Sequence, residues 1–176
     1  MYINMGHQPA SSSSNVIVPF EFSSEMDPLP GVERPLSNVS NFLILSGRPG
    51  SGKTTALLNL LLRKQHLAGK YDTVFVVSPS LGSFAPELLS GLPDDQKYES
   101  LDSGTLDEIA NKIKHNHQSQ KVLVVFDDVV NDLNRSGTQR SLQKLLFNRR
   151  HLTSLDPNGK KGGFVSVIAT TQVLNR

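Results

Sequence analysis

The fold of this chain is decided by Gly47-Arg48-Pro49-Gly50-Ser51-Gly52-Lys53-Thr54, a complete G-x-x-x-x-G-K-[ST] phosphate-binding loop. The apolar run 42–45 directly precedes the loop, and the strong helix formers of 55–62 follow it with no breaker before Gly69. Strand, loop and helix in this order form the context in which the motif binds nucleotide phosphates. A purely structural glycine-rich turn is the weaker alternative.

Each part of this loop has a predicted role in binding ATP and Mg²⁺. The glycines let backbone N–H groups turn inward around the β-phosphate, and the helix that follows points the positive end of its dipole at the phosphates. We expect Lys53 to reach the β- and γ-phosphates as a catalytic residue, and the Thr54 hydroxyl to ligate Mg²⁺. The predicted nucleotide-binding residues are Gly47, Arg48, Pro49, Gly50, Ser51, Gly52, Lys53, Thr54 and Thr55.

Apolar strand-like runs alternate with helical stretches from Asn41 onward, which is the pattern of a parallel sheet covered on both faces. The sequence therefore predicts an α/β fold of the P-loop NTPase type, a three-layer sandwich around a mostly parallel central sheet. The predicted strands are 42–45, 73–78, 121–126 and 164–169, and the predicted helices are 53–66, 105–115 and 139–147. The stretch 80–100, with Pro86 and Pro93, is predicted to be irregular or to carry one short helix.

Length and composition limit the class of protein. A chain of 176 residues can form one α/β domain with a real core, which we place at 41–176. Residues 1–40 contain a run of four serines, several prolines and little periodic hydrophobicity, so we predict a flexible N-terminal extension. Within it, 16–20 is a β-prone run that fits an edge strand or a partner-binding segment, because Pro19 argues against a central position.

The sequence also excludes several kinds of site. It contains no cysteine, so neither a disulfide framework nor a thiolate metal site can form. No apolar stretch approaches the roughly 20 residues that span a bilayer, and the N-terminus lacks a basic region followed by a continuous apolar segment. We therefore expect a soluble protein that is not secreted and has no transmembrane segment.

Two adjacent carboxylates, Asp127 and Asp128, follow the buried-strand run 122–126. Ligands of open α/β sheets bind at this carboxyl end of the strands, so we interpret the pair as a Walker B element. Asp127 is predicted to hold Mg²⁺ through water, and Asp128 to polarise the attacking water as general base. Two acids that merely cap a strand are the alternative. One carboxylate suffices for metal binding, so the second favours an ATPase.

A further strand follows and ends in Ala169-Thr170-Thr171-Gln172. Gln172 can lie beside the γ-phosphate if this strand inserts between the loop strand and the Walker B strand, as in ATPases with an additional strand and a catalytic acid. Gln172 is then predicted to sense phosphate or to orient water. An ordinary strand-end glutamine is the alternative.

Basic residues are concentrated late in the chain. The net charge is only +2, but residues 131–161 contain seven arginines and lysines against two aspartates. Such a stretch is either a solvated helix face or a contact to DNA phosphates. Within it, Arg149 or Arg150 is predicted to act as an arginine finger on the ATP of a neighbouring subunit. The alternatives are a pair that caps the helix C-terminus or contacts DNA.

Five stretches in order, 47–55, 70–80, 125–129, 148–151 and 168–172, resemble one family. Together they resemble the poxvirus-type genome-packaging ATPases, found across large eukaryotic DNA viruses and their smaller relatives within the FtsK/HerA superfamily of DNA-translocating motors. The resemblance covers residues 41–172, and only the phosphate-binding loop is specific on its own.

The resemblance implies a homo-oligomeric ring that pumps double-stranded DNA, without base specificity, into a preformed capsid. Its implied partners are capsid or other virion proteins, and its implied location is the virion or a cytoplasmic assembly site of the host cell. The family's functional residues fall on Lys53, Thr54, Asp127, Asp128, Arg149 or Arg150, and Gln172. The stretch 152–163 is longer than the family's usual link, and the family continues into another strand and helices beyond Gln172. A C-terminally truncated core is therefore one interpretation.

Two other functions remain open at this point. A small-molecule kinase uses the same loop but needs an acceptor-binding lid with arginines, and the sequence shows no clear one. A nucleotide-gated virion assembly factor would bind a capsid or membrane partner through its N-terminal segment, while nucleotide switches its shape.

Overall fold

A parallel sheet forms the centre of the computed structural model, which describes residues 40–63, 66–83, 86–129, 136–149, 151–153 and 164–172. In these ranges the strands are β1 (Phe42–Gly47), β2 (Thr73–Val77), β3 (Lys97–Tyr98), β4 (Lys121–Phe126) and β5 (Phe164–Gln172). The α-helices are α1 (Lys53–Leu62), α2 (Pro86–Ser90), α3 (Ser103–Asn116) and α4 (Ser136–Asn148). The predicted extension, including 16–20, lies outside the described residues apart from Ser40.

The strand order of the sheet is β1-β5-β4-β2-β3, and every neighbouring pair is parallel. β5 thus lies between β1 and β4, which is the insertion that the predicted role of Gln172 requires. In the register, Gln172 pairs with Gly47 of β1, and Ala169 pairs with Phe126 of β4. The phosphate-binding loop, the two carboxylates and Gln172 therefore meet at one carboxyl edge of the sheet.

Helices cover both faces of the sheet, so the predicted three-layer α/β sandwich is confirmed. The core under α1 and α2 includes Leu57, Leu61, Leu88, Val125 and Ile168. The core under α3 and α4 includes Phe75, Ile109, Ile113, Val124 and Leu145. Because successive side chains of a strand point to opposite faces, the even-numbered residues of β5 lie on the α1 face with Ile168.

Local sequence explains why α3 begins and packs as it does. Asp102 precedes the helix, and its Oδ1 accepts a hydrogen bond of 2.8 Å from the backbone N–H of Thr105. The buried residues Leu106, Ile109 and Ile113 recur at helical spacing and form one apolar stripe. An N-cap and an amphipathic face together determine this helix.

Predicted boundaries were wrong at several elements, among them α1, β5 and the stretch 80–100. α1 ends at Leu62 instead of residue 66, because Arg63 adopts an extended conformation with φ −89° and ψ 130°. β5 continues to Gln172 instead of 169, because its polar end is paired with β1 through Gly47. The stretch 80–100 holds α2, the short strand β3 and the 3₁₀ turns Leu81–Ser83 and Asp94–Gln96, which is more structure than one short helix.

No described helix combines the length and the apolar character needed to cross a membrane.

Candidate active site

The phosphate-binding loop connects β1 to α1, and its backbone depends on glycine. Gly50 and Gly52 have φ of 73° and 82°, in the left-handed region that favours glycine. A Cβ at Gly47 would lie 2.5 Å from Ser51 Oγ, so a larger residue there would displace Ser51. Gly52 also precedes α1 without a side-chain hydrogen bond to the helix. The first N–H groups of α1 can therefore point at an anion, as the motif predicts.

The side chain of Lys53 folds back over this loop. Its Nζ donates to the carbonyl oxygens of Gly47 and Arg48, each at 3.0 Å. These bonds hold the ammonium group against the first two residues of the loop that is predicted to enclose the phosphates. Thr54 and Thr55, the next two residues of α1, are exposed to solvent. The phosphate role of Lys53 and the metal role of Thr54 remain predictions.

Asp127 follows β4 directly, and its side chain lies between the two neighbouring strands. It is only 4% exposed. Thr170 Oγ1, on β5, donates to Asp127 Oδ1 at 2.8 Å, and Ser78 Oγ, next to the end of β2, donates to Asp127 Oδ2 at 3.4 Å. The backbone N–H of Asp127 donates to Val77 O at 2.9 Å. The position of this carboxylate is therefore fixed from both sides.

Asp128 lies in a strained turn directed toward β5. Its φ of 52° is the one positive value among the described non-glycine residues. Its backbone N–H donates to Thr170 Oγ1 at 2.9 Å. Gln172 Nε2 donates to both carboxylate oxygens of Asp128, at 2.8 and 2.7 Å. Residues held in sparsely populated backbone regions often mark active sites, where the surrounding structure imposes the strain.

Gln172 is the residue that brings the two halves of the site together. It pairs in the sheet with Gly47, the first residue of the phosphate-binding loop, while its side chain contacts Asp128. Gln172 therefore connects the start of the loop to the predicted base. The structure thus groups Gly47, Asp127, Asp128 and Gln172 as the sequence predicts.

The predicted arginine finger is not part of this group. Arg149 follows α4, and its Nη1 donates to Leu146 O of that helix at 2.9 Å. This contact agrees with the helix-capping alternative. α4 packs on the face of the sheet opposite α1. Arg150 lies outside the described residues, so its predicted role stays a prediction.

Two hydroxyls of the site, Thr170 and Ser78, had no role in the sequence-based prediction. Thr170 stands two residues before Gln172 on the same strand, so the alternation of side chains places both on one face. Together with the inserted position of β5, this spacing was a signal for a hydroxyl beside Asp127. No sequence pattern predicted the role of Ser78. It lies beside Asp127 because β2 neighbours β4 in the sheet, and the sequence alone did not give that strand order.

The residues present fit the predicted Mg²⁺. Within the described part of the chain, no three His, Cys, Asp or Glu side chains group closely enough to hold a metal ion. Mg²⁺ commonly takes only one or two protein oxygens and completes its shell with water and substrate phosphates. Thr54 and Asp127 supply such a hydroxyl and such a carboxylate. Because both Asp127 oxygens already accept hydrogen bonds from hydroxyls, contact through water suits the geometry.

Comparison with known proteins gives a family match and distant structural similarities. None of the curated proteins matches the sequence. The structure is similar to that of the assembled ATPase EscN in complex with its central stalk EscO, from the type III secretion system of enteropathogenic E. coli. The identity is 15% and the TM-score 0.41, over 92% of this chain and 50% of that chain, so the chain spans about half the length of that structure. Similarity at this level carries no functional information for this chain.

The family match rests on sequence. The NB-ARC domain matches residues 31–144, which include the phosphate-binding loop and both carboxylates and end within α4. Gln172 and Thr170 lie beyond the matched residues. The match supports the P-loop ATPase that the sequence predicts, while the resemblance to packaging motors stays a prediction. Because the match covers more than half of the chain, this protein belongs to the NB-ARC domain family and is a P-loop ATPase.

Proposed function

We propose that this chain is the ATP-hydrolysing core of a motor that translocates double-stranded DNA and packages a viral genome into a capsid. The observation that carries the proposal is the insertion of β5 between β1 and β4, which brings Gln172 beside both the phosphate-binding loop and Asp128. A phosphate sensor joined to a second acid suits hydrolysis coupled to movement better than simple phosphate transfer.

In this proposal each step of hydrolysis is performed by a residue of the site. The loop and Lys53 bind the phosphates, and Asp128 accepts a proton from the attacking water. Gln172 fixes the orientation of Asp128 by donating hydrogen bonds to its carboxylate. When ATP binds, an oxygen of the γ-phosphate competes with that carboxylate for the amide of Gln172. Bound Mg²⁺, held through Thr54 and Asp127, would neutralise phosphate charge. Nucleotide occupancy thereby controls the contact between Gln172 and the base.

The exposed face of α4 supports a contact to DNA. Arg140 and Lys144 are both exposed and lie four residues apart, so they occupy neighbouring positions on one side of the helix. The sequence of α4, 136–148, contains no acidic residue. Phosphate contacts of this kind give affinity that depends on salt but carries no base specificity.

The proposed assembly is a homo-oligomeric ring, working at a capsid or with other virion proteins. An arginine finger from one subunit would stabilise the transferring phosphoryl group in its neighbour. Because Arg149 already bonds the end of its own helix through Leu146 O, Arg150 is the stronger candidate for this role.

The test is steady-state ATP hydrolysis with and without double-stranded DNA, over a range of salt concentrations. The proposal expects DNA to stimulate turnover, and expects salt to weaken the stimulation. The double variant Arg140→Ala, Lys144→Ala should reduce the stimulation and leave basal turnover intact. Gln143→Ala, an uncharged change on the same exposed helix, is the matched control. If DNA fails to stimulate ATP hydrolysis at every protein concentration, the proposal of a DNA-translocating motor is overturned.

One observation favours a second candidate, a nucleotide-gated assembly factor without translocation. Gln172 holds both oxygens of Asp128, which suits a resting state that nucleotide releases. This alternative expects slow turnover without DNA dependence, and partner binding that Asp128→Asn leaves unchanged. Transfer of phosphate to a nucleoside without DNA would instead point to a small-molecule kinase.

A further inference from the structure

One buried hydroxyl connects the two acids of the site. Thr170 is 2% exposed, and its Oγ1 contacts both Asp127 Oδ1, at 2.8 Å, and the backbone nitrogen of Asp128, at 2.9 Å. We propose that Thr170 is a positioning residue, whose hydroxyl fixes the metal-side carboxylate and the strained turn of the base in a single arrangement. The proposal concerns the ATPase site itself and holds whether or not the chain moves DNA.

The direction of both hydrogen bonds is unambiguous. An ionised carboxylate only accepts and a backbone N–H only donates, so the hydroxyl must donate to Asp127 and accept from Asp128. The hydroxyl therefore donates its single proton to the carboxylate of Asp127 and accepts the backbone N–H of Asp128 with a lone pair. Hydrogen bonds in such a chain polarise and strengthen one another. Only a side chain with both a donor and an acceptor on one atom fits this position.

The turn at Asp128 explains why this second bond matters. A non-glycine residue with φ of 52° needs support from its surroundings. Thr170 holds the backbone of that residue, while Gln172 holds its side chain. Both supports come from β5 and are two residues apart on one face. A loss of the hydroxyl would release the turn that directs Asp128 toward Gln172.

Thr170 is buried against the two acids, so we expect its effect to pass through them. Thr170 donates a hydrogen bond to Asp127, the carboxylate that is predicted to hold the metal. Loss of a hydrogen-bond partner of a metal ligand typically costs about 10- to 100-fold in metal affinity or activity. Ser78 contacts the other oxygen of Asp127 but at 3.4 Å and without a bond to Asp128. It cannot replace the contact to the turn.

The test compares Thr170→Val, which keeps the shape and removes the hydroxyl, with Thr170→Ser, which keeps the hydroxyl and removes the methyl group. Thr171→Val makes the same change one residue later, on the opposite face of β5, and is the matched control. The full chain is used for all variants. The measurements are kcat and KM for ATP, and the Mg²⁺ concentration that half-saturates binding of a non-hydrolysable ATP analogue. The second measurement does not depend on turnover.

We expect Thr170→Val to lower kcat about 10- to 100-fold and to raise the required Mg²⁺ by a similar factor, with KM for ATP little changed. Thr170→Ser and Thr171→Val should behave like the native chain. Adding Asp127→Asn to Thr170→Val should cost less than the sum of the single effects, because one hydroxyl acts through that acid. If Thr170→Val fails to fold, Thr170→Ala provides the same comparison.

Two results would overturn the proposal. One is a folded Thr170→Val protein with native kcat and native Mg²⁺ dependence. The other is a Thr170→Ser protein as defective as Thr170→Val, since that would mean that the methyl group matters and the hydroxyl does not. Failure of DNA stimulation leaves these readouts unaffected, so the two proposals fail separately.

Discussion

The side-chain amide of Gln172 donates to both carboxylate oxygens of Asp128, at 2.8 and 2.7 Å. The two residues come from different elements, the end of β5 and the turn after β4, and are 44 positions apart in sequence. The same residue pairs with Gly47 at the start of the phosphate-binding loop. A single residue of β5 therefore holds the predicted base with its side chain and pairs through its backbone with the start of the phosphate-binding loop.

Replacing Gln172 by alanine tests this coupling. The loop, and not β5, is predicted to bind the phosphates, so we expect Gln172→Ala to retain nucleotide affinity. The rate of a single turnover should fall by about 10²-fold, the usual loss for one positioned donor in an active site. Single-turnover hydrolysis and equilibrium binding of a non-hydrolysable analogue separate the two effects. A native rate would mean that Gln172 is an ordinary strand-end residue.

The proposed base makes a separate prediction. Asp128→Asn keeps the shape of the side chain but removes its ability to accept a proton, so ATP should bind while hydrolysis falls by about 10²- to 10⁴-fold. Phosphate release together with nucleotide binding measures both. Asp127→Asn is the comparison, and it should raise the Mg²⁺ requirement instead. Normal hydrolysis by Asp128→Asn would refute its assignment as base.

Lys53→Ala should abolish nucleotide binding. The structure holds its ammonium group against the loop, through Gly47 O and Arg48 O. In the native chain, nucleotide at 100 times its Kd should stabilise the fold by about 2.7 kcal/mol, and this gain should vanish in the variant. Thermal unfolding with and without nucleotide measures it. Arg63→Ala, at the other end of α1, is the control and should keep the gain.

Much of the fold was predictable because its core strands are continuous apolar runs. Strand β4 begins and ends where the sequence places it, and β2 differs by one residue. The two-residue strand β3 had no detectable pattern, because its Lys97 and Tyr98 are too few for alternation. The apolar run 164–169 stops short of the polar end of β5, since Thr170 and Gln172 are held there by pairing with β1 and not by apolar side chains.

The site was predictable in its residue types and less so in its geometry. The motif and the paired acids identified Lys53, Asp127 and Asp128 without a structure. The strained turn of Asp128 is hydrogen-bonded to a hydroxyl from another strand, 42 positions away, and no local pattern encodes this contact. Arg149 is one of the two arginines predicted to reach a neighbouring subunit, and its contact to Leu146 O matches the helix-capping alternative that the sequence also left open.

The two arginines after α4 bear on how the subunits assemble. If Arg150 acts across a subunit interface, Arg150→Ala alone should lose turnover by a factor on the order of 10³ to 10⁵. Mixing Arg150→Ala subunits with Asp128→Asn subunits should restore part of it, because some interfaces then combine an intact base with an intact arginine. Arg149→Ala is expected chiefly to lower the thermal stability of the fold, since Arg149 Nη1 donates to Leu146 O at the end of α4.

The control for that mixture is Lys53→Ala combined with Asp128→Asn, in which every subunit carries a defect in its own site, so no interface is complete. We expect no recovery there, which excludes recovery from contamination or from a general effect of mixing. If the Arg150→Ala mixture also fails to recover, Arg150 does not act in a neighbouring subunit. If instead the Arg149→Ala mixture recovers turnover, Arg149 must leave Leu146 O on assembly, and the finger belongs to Arg149.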